Sequence, residues 1–153
     1  MTLYDAVRRI ERAARAQLTV KTIVGGDIYR LNTIPDAEYG AFCWTQGQHY
    51  RDEDSDLIQY RFTFFYVDRL THDKRNELEI QSVGIRTLSN ILARLEDEGL
   101  PSGQVTFDSF TERFTDECAG VMASVTFSTA IDFLCADSSG DFNDDFNDDF
   151  NII

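Results

Sequence analysis

The chain has 153 residues, 42% of them hydrophobic and 27% charged, which suits one domain with its own core and is too short for two. No run approaches the roughly 18 to 20 apolar residues of a membrane helix. Met1 to Gln17 interrupts its apolar residues with Arg8, Arg9, Arg12 and Arg15, so it lacks the apolar centre of a signal peptide. A net charge of −13 argues against a DNA-reading protein, because phosphates repel such a chain.

The charge is unevenly placed. Base is in excess up to Lys21, whereas no Lys or Arg follows Arg113, and Asp116, Glu117, Asp132 and Asp137 lead into further aspartates. Cys43, Cys118 and Cys135 are odd in number, widely spaced and without a C-x-x-C, as expected of free thiols in a reducing compartment. Synthesis and folding in a cytoplasm are expected.

Thr2 to Gln17 is predicted to be the first helix. Leu3, Val7, Ile10 and Ala14, with Ala6 and Ala13 beside them, recur at helical spacing and make one face apolar. Thr2 followed by Asp5 is a capping-box pair. Arg8, Arg12 and Arg15 share the opposite face, either as a solvated stripe or as a docking surface for an acidic partner.

Gly25-Gly26 and Asn32 to Pro35 punctuate the next stretch, leaving Val20 to Val24 and Ile28 to Leu31 as short β-prone pieces. Tyr39 to Tyr50 and Leu57 to Leu70 are clearer strands. In the second, Phe62, Phe64 and Tyr66 point one way and Arg61, Thr63, Phe65 and Val67 the other, the pattern of a central strand buried on both faces. Asp52 to Asp56 between them is too acidic to bury and reads as a solvated hairpin loop. Tyr39, Phe42, Trp44 and Tyr50 fit a core face or an inter-subunit surface, with Trp44 as the contact residue in the second case.

Asn76 to Glu98 is the second helix, with Ile80, Val83, Leu88, Ile91, Leu92 and Leu95 as its apolar stripe and Gly99 and Pro101 as its stop. Val105 to Phe114 and Val121 to Ala130 follow as strands around a turn over Thr115 to Gly120. This order predicts an α+β domain over residues 1–132, two helices packed on a four- to five-stranded, mainly antiparallel sheet, followed by an extended acidic C-terminal tail over residues 133–153.

Within the tail, Asp141-Phe142-Asn143-Asp144, Asp145-Phe146-Asn147-Asp148 and Asp149-Phe150-Asn151 repeat one unit, closed by Ile152-Ile153. A segment this acidic and poor in aliphatics is not expected to fold alone. As a docking peptide it would insert Phe142, Phe146 and Phe150, with Ile152 and Ile153, into apolar pockets while Asp141, Asp145 and Asp149 meet basic residues. As a calcium loop it opens well but fails, with Phe146 where glycine is needed and Ile152 in place of the bidentate glutamate. An inert solubilising tail explains the aspartates but not the phenylalanines.

Catalytic signatures are missing from the sequence. His49 and His72 have no second His or Cys at ligand spacing, and no nucleophile elbow, P-loop or G-x-G-x-x-G occurs. The expectation is a non-enzymatic chain with no cofactor and no metal.

The leading amphipathic helix, Asp27 to Asn32, Tyr39-Gly40-Ala41-Phe42, Phe62 to Leu70, the second helix and Cys118-Ala119-Gly120 before a last strand resemble the tail-completion or tail-terminator proteins of tailed bacteriophages. More narrowly, Phe64-Phe65-Tyr66-Val67-Asp68-Arg69-Leu70 and Glu79-Ile80-Gln81-Ser82-Val83-Gly84 are similar to small structural proteins of gut phages, including crAss-like phages of Bacteroides hosts. The resemblance spans roughly residues 2 to 130 and leaves out the Asp-Phe-Asn repeat. It implies a virion protein, assembled in a bacterial cytoplasm, that forms a homo-oligomeric ring in the head-to-tail connector. Its partners would be the portal and other neck and tail proteins, with DNA passing the channel without specific binding and no membrane involved. A different class of function, a soluble adaptor or assembly chaperone that binds one partner through the tail, is the alternative.

Overall fold

The computed structural model describes residues 1–34, 37–111 and 117–130. Helix α1 spans Leu3–Arg15 and starts with the expected capping box. Thr2 Oγ1 accepts from the Asp5 N–H at 3.1 Å, and the Asp5 carboxylate accepts from the Thr2 N–H at 3.4 Å. Hydrogen bonding of the Asp5 carboxyl to the Thr2 side chain, and then to the Thr2 backbone N–H, holds it below its ordinary pKa.

Helix α2 spans Glu77–Asp97 and ends in a Schellman motif. The Gly99 N–H returns to the Glu96 carbonyl at 3.1 Å, and the Leu100 N–H to the Leu95 carbonyl at 2.8 Å. Gly99 takes φ 91°, a left-handed conformation that glycine adopts without a Cβ clash. Leu95 and Leu100 are both fully buried and supply the hydrophobic contact that accompanies the motif.

Strands β1 (Thr22–Gly25), β2 (Ala41–Gln46), β3 (Tyr50–Arg51), β4 (Leu57–Arg69), β5 (Thr106–Thr111) and β6 (Cys118–Ala130) form one six-stranded sheet. Its order is β1-β2-β4-β6-β5, with β3 paired to β4. The spine is the antiparallel pair β4–β6, in register from Leu57 opposite Ala130 to Arg69 opposite Cys118.

Alternation along these strands sorts the side chains into two layers. Phe42, Trp44, Tyr60, Phe62, Phe64, Tyr66, Val121, Val125 and Phe127 face α1 and α2 and form the main core with Ala6, Ile10, Leu88, Ile91 and Leu95. On the opposite face Ala41, Cys43, Phe65, Val67, Phe110 and Cys118 form a smaller cluster with Val24, Ile28 and Leu31. Strand β4 is therefore buried on both faces over Phe64 to Val67. Burial also pushes the Cys43 thiol up to about 12, so it stays protonated.

The α+β class and the mainly antiparallel sheet agree with the sequence reading, while several details differ. Ile28 to Leu31, expected as a β piece, lies in a 3-10 helix over Ile28–Thr33. Asp27 caps it by accepting from the Tyr29 N–H at 3.0 Å, and Ile28 and Leu31 seal the second sheet face. Six strands replace the expected four or five, because Tyr39 to Tyr50 divides into β2 and β3 and β1 joins as an edge. Strand β1 runs parallel to β2, since the 3-10 segment carries the chain back between them. Cys118 to Gly120, expected within a turn, already pairs with Arg69 to Val67.

The acidic loop between β3 and β4 is short and closed, with the Asp52 N–H donating to the Leu57 carbonyl at 2.9 Å. Residues 112–116 and the whole expected tail, 133–153, lie outside the described residues.

Candidate partner-binding surface

Helix α1 has two unlike sides. Ala6, Ile10, Ala13 and Ala14 are fully buried against the sheet and α2, while Tyr4, Arg8, Arg12 and Arg15 are exposed. Positions 4, 8, 12 and 15 fall at helical spacing, so these side chains form one outward stripe. Leu18, just past the end of the helix, is 93% exposed and Tyr4 68%.

The α1 arginines have different occupations. Arg9 donates from Nη1 to the Glu98 carbonyl at 2.5 Å, and Arg12 donates from Nη2 to the Glu98 carboxylate at 3.1 Å. Arg94 approaches the same carboxylate at 4.0 Å. Glu98 thus gathers arginines from both helices at the C-terminal end of α2, where cations also meet the negative end of the helix dipole. Because the Arg12 side chain is 59% exposed, this pair contributes no more than about 1 kcal/mol.

Arg8 sits 5.7 Å over the Tyr4 ring and makes no ion pair with another described residue. The Arg15 side chain has neither an ion pair nor a hydrogen bond to another described residue. Of the three arginines singled out from the sequence, Arg12 ties the helices together, whereas Arg8 and Arg15 keep their charge available to solvent.

Trp44 is placed in the core. It is 8% exposed, its ring packs edge-on to Phe62 with centroids 6.1 Å apart, and its Nε1–H donates to the Glu11 carboxylate at 2.9 Å. A Cβ on Gly25 would stand 2.5 Å from the indole, so the β1 edge is pressed against it. Of the two readings of the aromatic segment, the core face describes Trp44 and Phe42, whereas Tyr50 is half exposed on β3.

His49 acts inside the sheet. Gly47 to His49 bulge between β2 and β3, and the ring takes the place of a strand partner. Its Nδ1 accepts from the Arg61 N–H at 3.1 Å, and its Nε2 lies 2.9 Å from Gln46 Oε1. Partial burial, with the rings of Tyr60 and Phe62 beside it, lowers its pKa. His72 is exposed in the loop before α2, beside a shallow depression lined by Thr71, Asp73, Arg75, Asn76 and Glu79.

Among the described residues no three His, Cys, Asp or Glu side chains converge in a way that would hold a metal, and no helix is long and apolar enough to cross a membrane.

The tail residues named from the sequence, Asp141, Phe142, Asp145, Phe146, Asp149, Phe150, Ile152 and Ile153, lie outside the described residues. Sequence reasoning did not single out Tyr4, Leu18, Glu11 or Glu98. Tyr4 was within reach, since it stands four residues before Arg8 on the basic face. The Glu11 and Glu98 contacts join residues 33 and more positions apart and leave no local trace. No protein-family model matches the chain, and no curated protein matches it.

Proposed function

We propose that this chain is a structural, non-enzymatic protein of a tailed-phage virion, assembling into a homo-oligomeric ring in the head-to-tail connector. The observation that carries the reading is the charge division of the molecule. A helix face keeps Arg8 and Arg15 exposed and free of ion pairs among the described residues, in a chain of net charge −13 with no base after Arg113. Opposite chemistries at the two ends of one chain suit head-to-tail contact between copies, which closes into a ring when the rotation between neighbours allows. The resemblance of Phe64 to Leu70 and Glu79 to Gly84 to small phage structural proteins supports the setting. An excess of acid fits a channel through which DNA slides without sticking.

In this reading the portal and neighbouring neck and tail proteins are the partners, and residues 141–153 reach an adjacent subunit as the docking segment. The test is the mass of the purified full-length chain by native mass spectrometry, together with a search for the chain in purified particles. A discrete ring that is present in particles supports the proposal. A monomer absent from particles overturns it in favour of the adaptor reading.

A further inference from the structure

We infer that the outward face of α1, formed by Tyr4, Arg8, Arg12, Arg15 and Leu18, is the receiving surface for the Asp-Phe-Asn repeat of a second copy of this chain. The inference rests on the ring reading, which supplies the neighbour, and adds which surface takes which segment.

Residues 141–153 carry Asp141, Asp144, Asp145, Asp148 and Asp149 around three phenylalanines, with no base. The α1 face offers the reverse, the guanidinium groups of Arg8 and Arg15, free of ion pairs among the described residues, between an exposed tyrosine and an exposed leucine. Arginine meets carboxylates through paired N–H donors and also stacks on aromatic rings, so one side chain serves both components of the repeat. Arg8 already lies over the Tyr4 ring within its own subunit.

Ala130 stands opposite Leu57, and three residues along the same strand the Tyr60 hydroxyl donates to the Met1 carbonyl at 2.9 Å. The described chain therefore ends near the point where α1 begins. Residues 131–140 span at most about 35 Å, enough to pass to the α1 of a subunit alongside.

The experiment uses two full-length variants. One carries Arg8→Glu and Arg15→Glu and leaves Arg12, which joins α1 to α2, in place. The other carries Phe142→Ser, Phe146→Ser and Phe150→Ser. Circular dichroism checks that each is folded, and native mass spectrometry at low salt counts subunits. The expected result is an oligomer for the unaltered chain, a monomer for each variant alone, and a one-to-one heterodimer when they are mixed, since one intact tail then meets one intact helix face. Oligomers that survive both sets of substitutions overturn the inference and leave the ring reading standing. Monomeric variants that stay apart on mixing overturn it as well, the tail then acting within its own subunit or elsewhere. A monomeric unaltered chain removes the ring reading and this inference together.

Discussion

The indole Nε1–H of Trp44 donates to the Glu11 carboxylate at 2.9 Å, joining strand β2 to helix α1 by a hydrogen bond as well as by packing. Hydrogen bonds to a charged group are stronger than neutral ones. Trp44→Phe keeps an aromatic ring but removes the donor. The expected loss is about 2 kcal/mol, read from urea unfolding followed by circular dichroism. Glu11→Gln retains an acceptor and is expected to lose less than Trp44→Phe. Since Trp44 is the only tryptophan, its fluorescence also reports when the β2–α1 contact opens in Glu11→Gln. Equal stabilities for all three chains would refute the role given to this bond.

His49 predicts a pH dependence with a definite sign. Its Nδ1 accepts the Arg61 N–H only when unprotonated, and burial lowers its folded-state pKa below 6.5. The unfolded chain therefore takes up the proton first as pH falls. The contribution of His49 is complete above the unfolded value and is lost as pH drops through the folded one. The urea midpoint is expected to fall between about pH 7 and pH 5, and His49→Gln is expected to flatten that fall. An unaltered slope in His49→Gln would show that the ring does not serve as the partner of Arg61.

Gly120 separates two kinds of glycine requirement. A Cβ there would overlap the Tyr66 carbonyl oxygen across the β4–β6 ladder and lie 2.9 Å from the Phe110 ring. Gly120→Ala is expected to cost about 3 kcal/mol, because backbone, not a flexible side chain, must move. Gly99→Ala meets no atom within 4 Å but forces a left-handed φ, at a cost of about 1 kcal/mol. Comparing the two urea midpoints tests the ordering.

Thr2 carries the start of α1. Thr2→Ala removes the side-chain acceptor for the Asp5 N–H and is expected to cost about 1 kcal/mol, whereas Thr2→Ser should restore most of it. Thermal unfolding of the three chains measures both, and an alanine variant as stable as the serine one would contradict the cap.

Much of this fold could be read from short-range signals. The capping box, the Gly99-Pro101 stop and the alternation around Phe62 to Val67 each involve neighbours within a few residues, and the structure places α1, α2 and β4 within two residues of those marks. Ile28 to Leu31 misled because a short apolar run has no period of its own. Its 3-10 turn follows from the Asp27 cap and from burial of Ile28 and Leu31 on a sheet face that residues far along the chain create. The candidate surface was legible in part. The spacing of Arg8, Arg12 and Arg15 marked the face, but the ion pairing of Arg12 depends on Glu98, 86 residues away.

The sequence by itself determined α1, α2 and the long strand β4, the capping box and the Gly99 stop, the two-sided burial of the central strand and the division of charge between the two ends of the chain, because local hydrogen bonding and hydrophobic period are set by adjacent residues. Only the tertiary structure decided that β1 lies parallel to β2, that Trp44 turns inward to Glu11, that His49 stands in for a strand, and which α1 arginines remain unengaged. Those outcomes depend on which distant groups the folded chain brings within hydrogen-bonding reach, and no local pattern encodes that distance.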